Sequence, residues 1–327
     1  MALYYVTNAS SGAPVLSGTN GAGTAVFDWI LSTTAGLTIL YTGTNRSVVQ
    51  MPDGSVLRYY HDSAASGDAR FMICRAAESA SAVDTLSKPF PLTTQVTNAN
   101  CNVLCSTTAN ATARSWWAFV DTDPQNCCFY FFTNPSSAQI AGSFLWGGGT
   151  IVSALPVDSY STFCFSRNSA VATDIAAAPG NIVISGLSTA APNRLFLMRS
   201  RDGVVESSQA CFGPHLGSTQ LQTAAGGPVY PDPDDAKLRM CKLNVMDYYS
   251  QSTTAGASSE PVRMWAPRLF MPMHRSNTWS GVALGDTFDA SSYDATAQFA
   301  FFKFGDSAGA QGALAVQIAG PWAVPSG

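Results

Sequence analysis

The sequence predicts an all-β protein: sandwich- or barrel-like domains built from short hairpins, with at most a few short helices. Three observations lead there. Short β-prone runs recur, separated by Pro, Gly, Asp and Asn turn signals. Helical periodicity is scarce, so helix should stay under roughly 15% of the chain. Adjacent aromatics such as Phe129-Tyr130-Phe131-Phe132 point alternately to the two faces of a strand.

Each element rests on local chemistry. Met51-Pro52-Asp53-Gly54-Ser55 lies between Thr44–Gln50 and Val56–Tyr60, and Pro-Asp-Gly between two β-prone runs reads as a hairpin. Ser115–Val120 and Cys127–Thr133 flank Asp121–Asn126, a second hairpin with a longer loop. Arg194–Arg199 and Val204–Gln209 flank Ser200-Arg201-Asp202-Gly203, a third with an Asp-Gly turn. Thr162–Ser166 and Asn181–Leu187 read as further strands. Thr24–Leu31 is the best helix, short and packed on a sheet, and Asp234–Leu243 is a weaker one. The glycine-rich Gly18–Gly23 ahead of the first helix lacks the Gly-Lys-Ser/Thr ending of a phosphate loop, so it reads as a turn into a helix N-terminus. Thr93–Asn110 and Ser250–Pro261 are polar and read as linkers. They divide the chain into an N-terminal β domain (1–95), a central β domain with the aromatic hairpin (96–260) and a C-terminal β segment (261–327) able to pack back on the first. No fixed-period repeat or heptad pattern is present, which argues against solenoids, propellers and coiled coils.

Composition narrows the function. A chain of 327 residues can bury a large core without disulfides or metals. Charged residues make up 12%, about half the usual ~25%. Four lysines stand against thirteen arginines. Interfaces favour Arg and aromatics over Lys and Glu, so the bias fits a surface spent on contacts; a compositional drift of the source genome explains it equally well. Net charge is −4 with no basic run, which argues against nucleic-acid binding. The N-terminal run Met1–Val6 lacks the pattern of a signal peptide, and no apolar stretch approaches the ~18 residues of a membrane span.

Candidate chemistry is sparse. Eight cysteines (Cys74, Cys101, Cys105, Cys127, Cys128, Cys164, Cys211 and Cys241) have irregular spacing and sit mostly in apolar runs. Free core thiols are favoured, with a disulfide network as the alternative. His61, His215 and His274 include no pair at metal-ligand spacing, and Cys101-x-x-x-Cys105 has no partner pair for zinc. His61-Asp62-Ser63 resembles triad members only by adjacency, and a strand end entering a polar turn explains it better. Asp232, Asp234 and Asp235 could gather calcium, but capping of a following helix is simpler. No catalytic residue, cofactor or metal is therefore expected. The aromatic runs imply a sheet buried on both sides, by a second sheet or by a neighbouring subunit. The residues singled out for structure and interface are Trp116, Trp117, Phe129, Phe131, Trp265, His274, Asp286 and Trp322. Trp322, set between prolines, either reaches a neighbour or covers its own domain.

Three groups of stretches carry a resemblance. One is Ser11–Thr19 (Ser-Gly-Ala-Pro-Val-Leu-Ser-Gly-Thr) with Tyr41–Arg46 and Leu57-Arg58-Tyr59. Another is Ala69-Arg70 through Phe90-Pro91, with Arg114-Ser115-Trp116 and Phe129-Tyr130-Phe131. The last is Trp265-Ala266-Pro267, Met273-His274-Arg275 and Gly285-Asp286-Thr287-Phe288. Together they resemble a family of virion structural proteins of tailed bacteriophages. The resemblance runs through most of the chain and is weakest between about 135 and 190. It implies a non-enzymatic particle component made in the host bacterial cytoplasm, with other virion proteins as partners; repeated identical contacts in a finite particle lead to a closed homo-oligomer, and a trimer or hexamer would match a tail axis. It does not fix the position in the particle; tail or baseplate is expected first, capsid decoration or collar second, and a receptor- or glycan-binding tail module as a further alternative.

Overall fold

The structure is a computed structural model that describes residues 2–66, 69–90, 101–134, 144–150, 152–153, 162–167, 193–197, 208–212, 240–246, 262–272, 283–289, 296–304 and 312–322. It is an all-β protein, mostly strand, as the turn spacing predicts.

The smaller of the two main sheets is antiparallel, in the order β2 (Ile39–Gly43), β3 (Arg46–Gln50), β4 (Val56–Tyr60), β5 (Phe71–Ala77), β8 (Cys101–Leu104). Its centre is the expected first hairpin, with Arg46 opposite Tyr60 and Gln50 opposite Val56. The turn is made by Asp53, whose Oδ1 accepts hydrogen bonds from the Ser55 amide at 3.0 Å and hydroxyl at 2.6 Å. Gly54 follows at φ +88°, a left-handed value that glycine adopts without steric cost. The expected linker Thr93–Asn110 is corrected in part: Cys101–Leu104 pair with β5 as an edge strand. Composition alone marks a loop there; Val103, Leu104 and Cys105 nevertheless bury their side chains, and a strand lets them do so.

Among the described residues the larger sheet has thirteen strands. It begins with β1 (Leu3–Thr7), β9 (Ser115–Asp121), β10 (Cys128–Asn134), β11 (Phe144–Thr150) and β13 (Thr162–Arg167). It continues through β14 (Asn193–Leu197), β15 (Ser208–Phe212), β16 (Met240–Met246) and β17 (Val262–Pro272), and ends with β20 (Gly312–Ala319), β19 (Gln298–Phe304) and β18 (Thr287–Asp289). The two-residue β12 (Val152–Ser153) pairs with β17. β9 and β10 are the expected aromatic hairpin, with Asp121 opposite Cys128. β14 and β15 pair as the third hairpin requires, and residues 198–207, with the Asp-Gly turn and the start expected at Val204, lie outside the described residues. The expected helix Asp234–Leu243 is corrected: Met240–Leu243 open strand β16, held between β15 and β17, and the ladder partners on both sides outweigh a weak helical pattern. Asp234–Arg239, Asn181–Leu187 and Ser250–Pro261 lie outside the described residues. Pairing of β1 with β9, of β5 with β8 and of β12 with β17 crosses the expected divisions near 95 and 260.

The large sheet folds over itself. Phe132 stacks on Phe302 at 3.6 Å, the Tyr130 hydroxyl donates to the Pro267 carbonyl at 2.7 Å, and the Arg268 guanidinium grips the buried Asp121. β9 and β10 are therefore the middle layer of three. Cys128, Tyr130 and Phe132 share one core with Leu269, Ala300, Phe302 and Val316. Trp116, Ala118, Val120, Phe129 and Phe131 share the other with the small sheet and with helix α1 (Ala22–Asp28). α1 runs on into a π-helical turn, Trp29–Thr34, close to the expected Thr24–Leu31. Its Phe27 plugs the gap between sheets, with ring centroids 4.8 Å from both Phe129 and Phe131 and 5.2 Å from Tyr59.

Candidate functional site

The residues singled out in the sequence do not form one site. Trp116, Phe129 and Phe131 meet around Phe27 in the inner core, where Trp116 is fully buried. Trp117 points the other way, half-buried against Phe302 at 5.9 Å and beside Gly285. Gly285 sits at φ +79°, and a Cβ there would lie 2.3 Å from the Trp117 indole nitrogen, so both backbone and space demand glycine. Asp286 follows it in an exposed turn, accepting the Ala283 amide at 2.7 Å. Burial first, and then the Asp286 charge, push the Tyr5 phenol up to about 12. Trp265 is a half-buried residue of β17, opposite Val152 and Asn244. Trp322 packs edge-on against Phe270 at 5.6 Å with the Lys242 ammonium 4.8 Å from its ring centre, so it covers its own chain. His274 lies outside the described residues. The aromatic strands are dry on both faces because elements of this same chain cover them; no neighbouring subunit is needed to explain that pattern.

The described groups with catalytic chemistry are tied into the architecture. His61 is fully buried. Its Nδ1 accepts the Gly23 amide at 2.8 Å and its Nε2 donates to the Ala69 carbonyl at 2.7 Å, which defines the neutral Nε2–H tautomer. Burial lowers its pKa. The histidine thus caps the first turn of α1 from the end of β4, and the glycines before it let the backbone come this close: Gly21 sits at φ +83° and donates to the His61 carbonyl at 2.7 Å. Asp62 and Ser63 serve the next turn: Asp62 Oδ1 accepts the Ala64 amide, and the Ser63 amide donates to Asn20 Oδ1. Cys74, Cys105, Cys127, Cys128 and Cys164 are buried. Burial pushes Cys105 and Cys127 up to about 12 and Cys128 well above its ordinary value, so the nucleophilic thiolate is absent at neutral pH. Among the described residues no three His, Cys, Asp or Glu side chains gather as metal ligands. A cavity between Met51, Leu57, Phe129, Trp146 and Phe163 has a volume of about 10 Å³, room for one water at most.

No protein-family model matches the chain, and no curated protein matches it. Among the described residues, a cluster of charge stands out on the outer face of the small sheet. Strand alternation places Arg46, Arg58, Tyr60 and Arg75 there, with Arg58 directly opposite Arg75 and Arg46 opposite Tyr60. The Arg58 and Arg46 guanidinium carbons lie 5.1 and 5.9 Å from the Tyr60 ring centre. Burial raises the Tyr60 pKa against the pull of Arg58, Arg75 and Arg46. Asp84 answers them from the tip of a separate hairpin, β6 (Ser79–Ala82) and β7 (Thr85–Ser87). Both its oxygens lie 2.9 Å from Arg46 Nη1, and Oδ1 is 3.7 Å from Arg58. The hairpin rests on Val48, Val56 and Ala77 through Ala80, Val83 and Leu86. Sequence reasoning missed this cluster. The signal available was period-2 placement of Arg46 and Arg58 in the first hairpin; the pairing that brings Arg75 alongside is not local.

Proposed function

We propose that this chain is a non-enzymatic structural component of a tailed-phage virion, at the tail or baseplate, which acts by assembling with copies of itself and with other virion proteins. The observation that carries the reading is the use of His61: a fully buried imidazole with both nitrogens engaged by backbone holds a helix in place and has no face left for a substrate. The thiols support it in the same way, being buried and protonated. The stretches that resemble phage structural proteins lie at architectural points. Leu16 bridges to Arg114, Gly18 donates to the Asn110 carbonyl, and Gly285 makes room for Trp117. No helix among the described residues is long and apolar enough to cross a membrane.

Mass spectrometry and immunogold labelling of washed, purified particles test this. Label at the tail end, with a trimer or hexamer of the purified chain by native mass spectrometry, is expected. Label along the head surface would overturn the tail placement in favour of a decoration or collar role. Absence from the particles would overturn both.

A further inference from the structure

The outer face of the small sheet has the build of an anion site with its own plug in place. Two guanidinia, those of Arg46 and Arg58, lie against one phenol ring on two adjacent strands. Arg forks match a carboxylate's two oxygens, so converging arginines select planar oxyanions. Asp84 shows which chemistry the cluster accepts, since both of its oxygens face Arg46 Nη1. Yet the plug is loose: the Asp84 side chain is 57% exposed, whereas Arg58 is 10% exposed. Arg58 Nε, moreover, is buried without a hydrogen-bond partner, an arrangement that costs free energy unless an acceptor arrives. Asp84 is carried by a two-stranded hairpin, an element that is marginal by itself and holds on here by a small apolar patch.

We propose that Arg46 and Arg58 form a carboxylate-binding site that Asp84 closes, and that an external carboxylate displaces Asp84 to occupy it. Displacement exchanges one carboxylate for another, so the tethered Asp84 competes at high effective concentration and a single external carboxylate binds weakly. A ligand with several carboxylates overcomes this by bringing a second acceptor to the unsatisfied Arg58 Nε. The inference does not depend on a place in a phage particle.

Titration of the purified full chain with citrate and, in parallel, with a hexaglutamate peptide, at ionic strength matched with chloride, tests the site. In calorimetry Asp84→Asn, with Asp84→Ser as a second removal of the plug, tightens binding of at least one probe by about tenfold or more. Adding Arg46→Gln to either variant abolishes it, with far-UV circular dichroism unchanged. Tighter binding of the peptide assigns the carboxylate to a polypeptide, and tighter binding of citrate to a small acid. Unchanged affinity in both Asp84 variants, or binding that survives Arg46→Gln, overturns the proposal.

Discussion

The two faces of strand β4 are one residue apart and obey different physics. Leu57 and Tyr59 point inward to the core around Phe27, and the Tyr59 hydroxyl donates to Asp28 at 2.7 Å, fastening the end of α1 to the sheet. Arg58 and Tyr60 point outward to charges and to a small hairpin. Inward, stability comes from close-packed apolar volume, and each contact is irreplaceable because the cavity left by its loss cannot collapse. Outward, it comes from screened charge pairs and a thin apolar patch, and each contact is individually weak. A single strand thereby anchors the fold with one face and carries the arginine cluster and its covering hairpin on the other.

The sharpest way to break that comparison is in the neighbouring aromatic layer. Trp116 is fully buried among Trp29, Phe131 and the chain around Pro14, while Trp117 on the next position is half-buried. Trp116→Ala should cost about 3–5 kcal/mol and Trp117→Ala roughly half of that, by urea denaturation. Equal costs would mean that the two faces of β9 are not packed differently.

How much of this was legible depended on distance along the chain. The hairpins around Asp53-Gly54 and around Asp121–Asn126 follow from local turn chemistry and alternation, and they stand where the sequence puts them. Strand β8 escaped because its partner β5 is supplied from some thirty residues earlier and its own composition is that of a loop. β16 escaped because its strand state is imposed by neighbours on both sides. The inner positions Trp116, Phe129 and Phe131 were recognisable as aromatic, but the helix that separates them from the small sheet is a tertiary fact. The arginine cluster needs the register of three strands before it exists at all.

His61 ties the two faces together at the end of β4, and pH probes it. Its folded pKa is lowered by burial, so the unfolded chain, titrating near 6.5, binds the proton more readily. Stability is then complete above about 6.5 and falls as pH drops from there toward the folded pKa. His61→Gln should flatten that acid limb of a thermal-melting profile. It should also cost about 1–3 kcal/mol at pH 7.5, because the buried Gly23 amide keeps at best a poorly placed acceptor. A wild-type midpoint that is flat between pH 7.5 and 5 would contradict the neutral, doubly engaged ring.

At the hairpin turn the cost is conformational only. Gly54 sits at φ +88° with open space around its α-carbon, so Gly54→Ala meets no clash and pays only for left-handed backbone, about 1 kcal/mol. Gly285→Ala adds the collision with Trp117 to the same backbone term, and it should cost clearly more in the same denaturation assay.

The smallest effect belongs to the outer face. At the base of the β6–β7 hairpin Lys88 Nζ lies 2.7 Å from Glu78, with the lysine side chain 48% exposed. An exposed pair gains little over its hydrated partners and loses side-chain freedom in forming, so Lys88→Ala should change stability by less than about 1 kcal/mol and by less still in high salt. Lys88 also adopts φ +49°, a left-handed value that costs energy for any residue but glycine. Lys88→Gly therefore removes the ion pair and the backbone strain together, and the two changes oppose each other. If the hairpin is held chiefly by its apolar patch of Ala80, Val83 and Leu86, Lys88→Gly should melt no lower than Lys88→Ala. If the ion pair is what seats the hairpin, both variants should loosen it alike, and amide hydrogen exchange across Ser79–Ser87 should rise in each. That second outcome would make the outer face as tightly determined as the inner one, and the contrast drawn from β4 would fail.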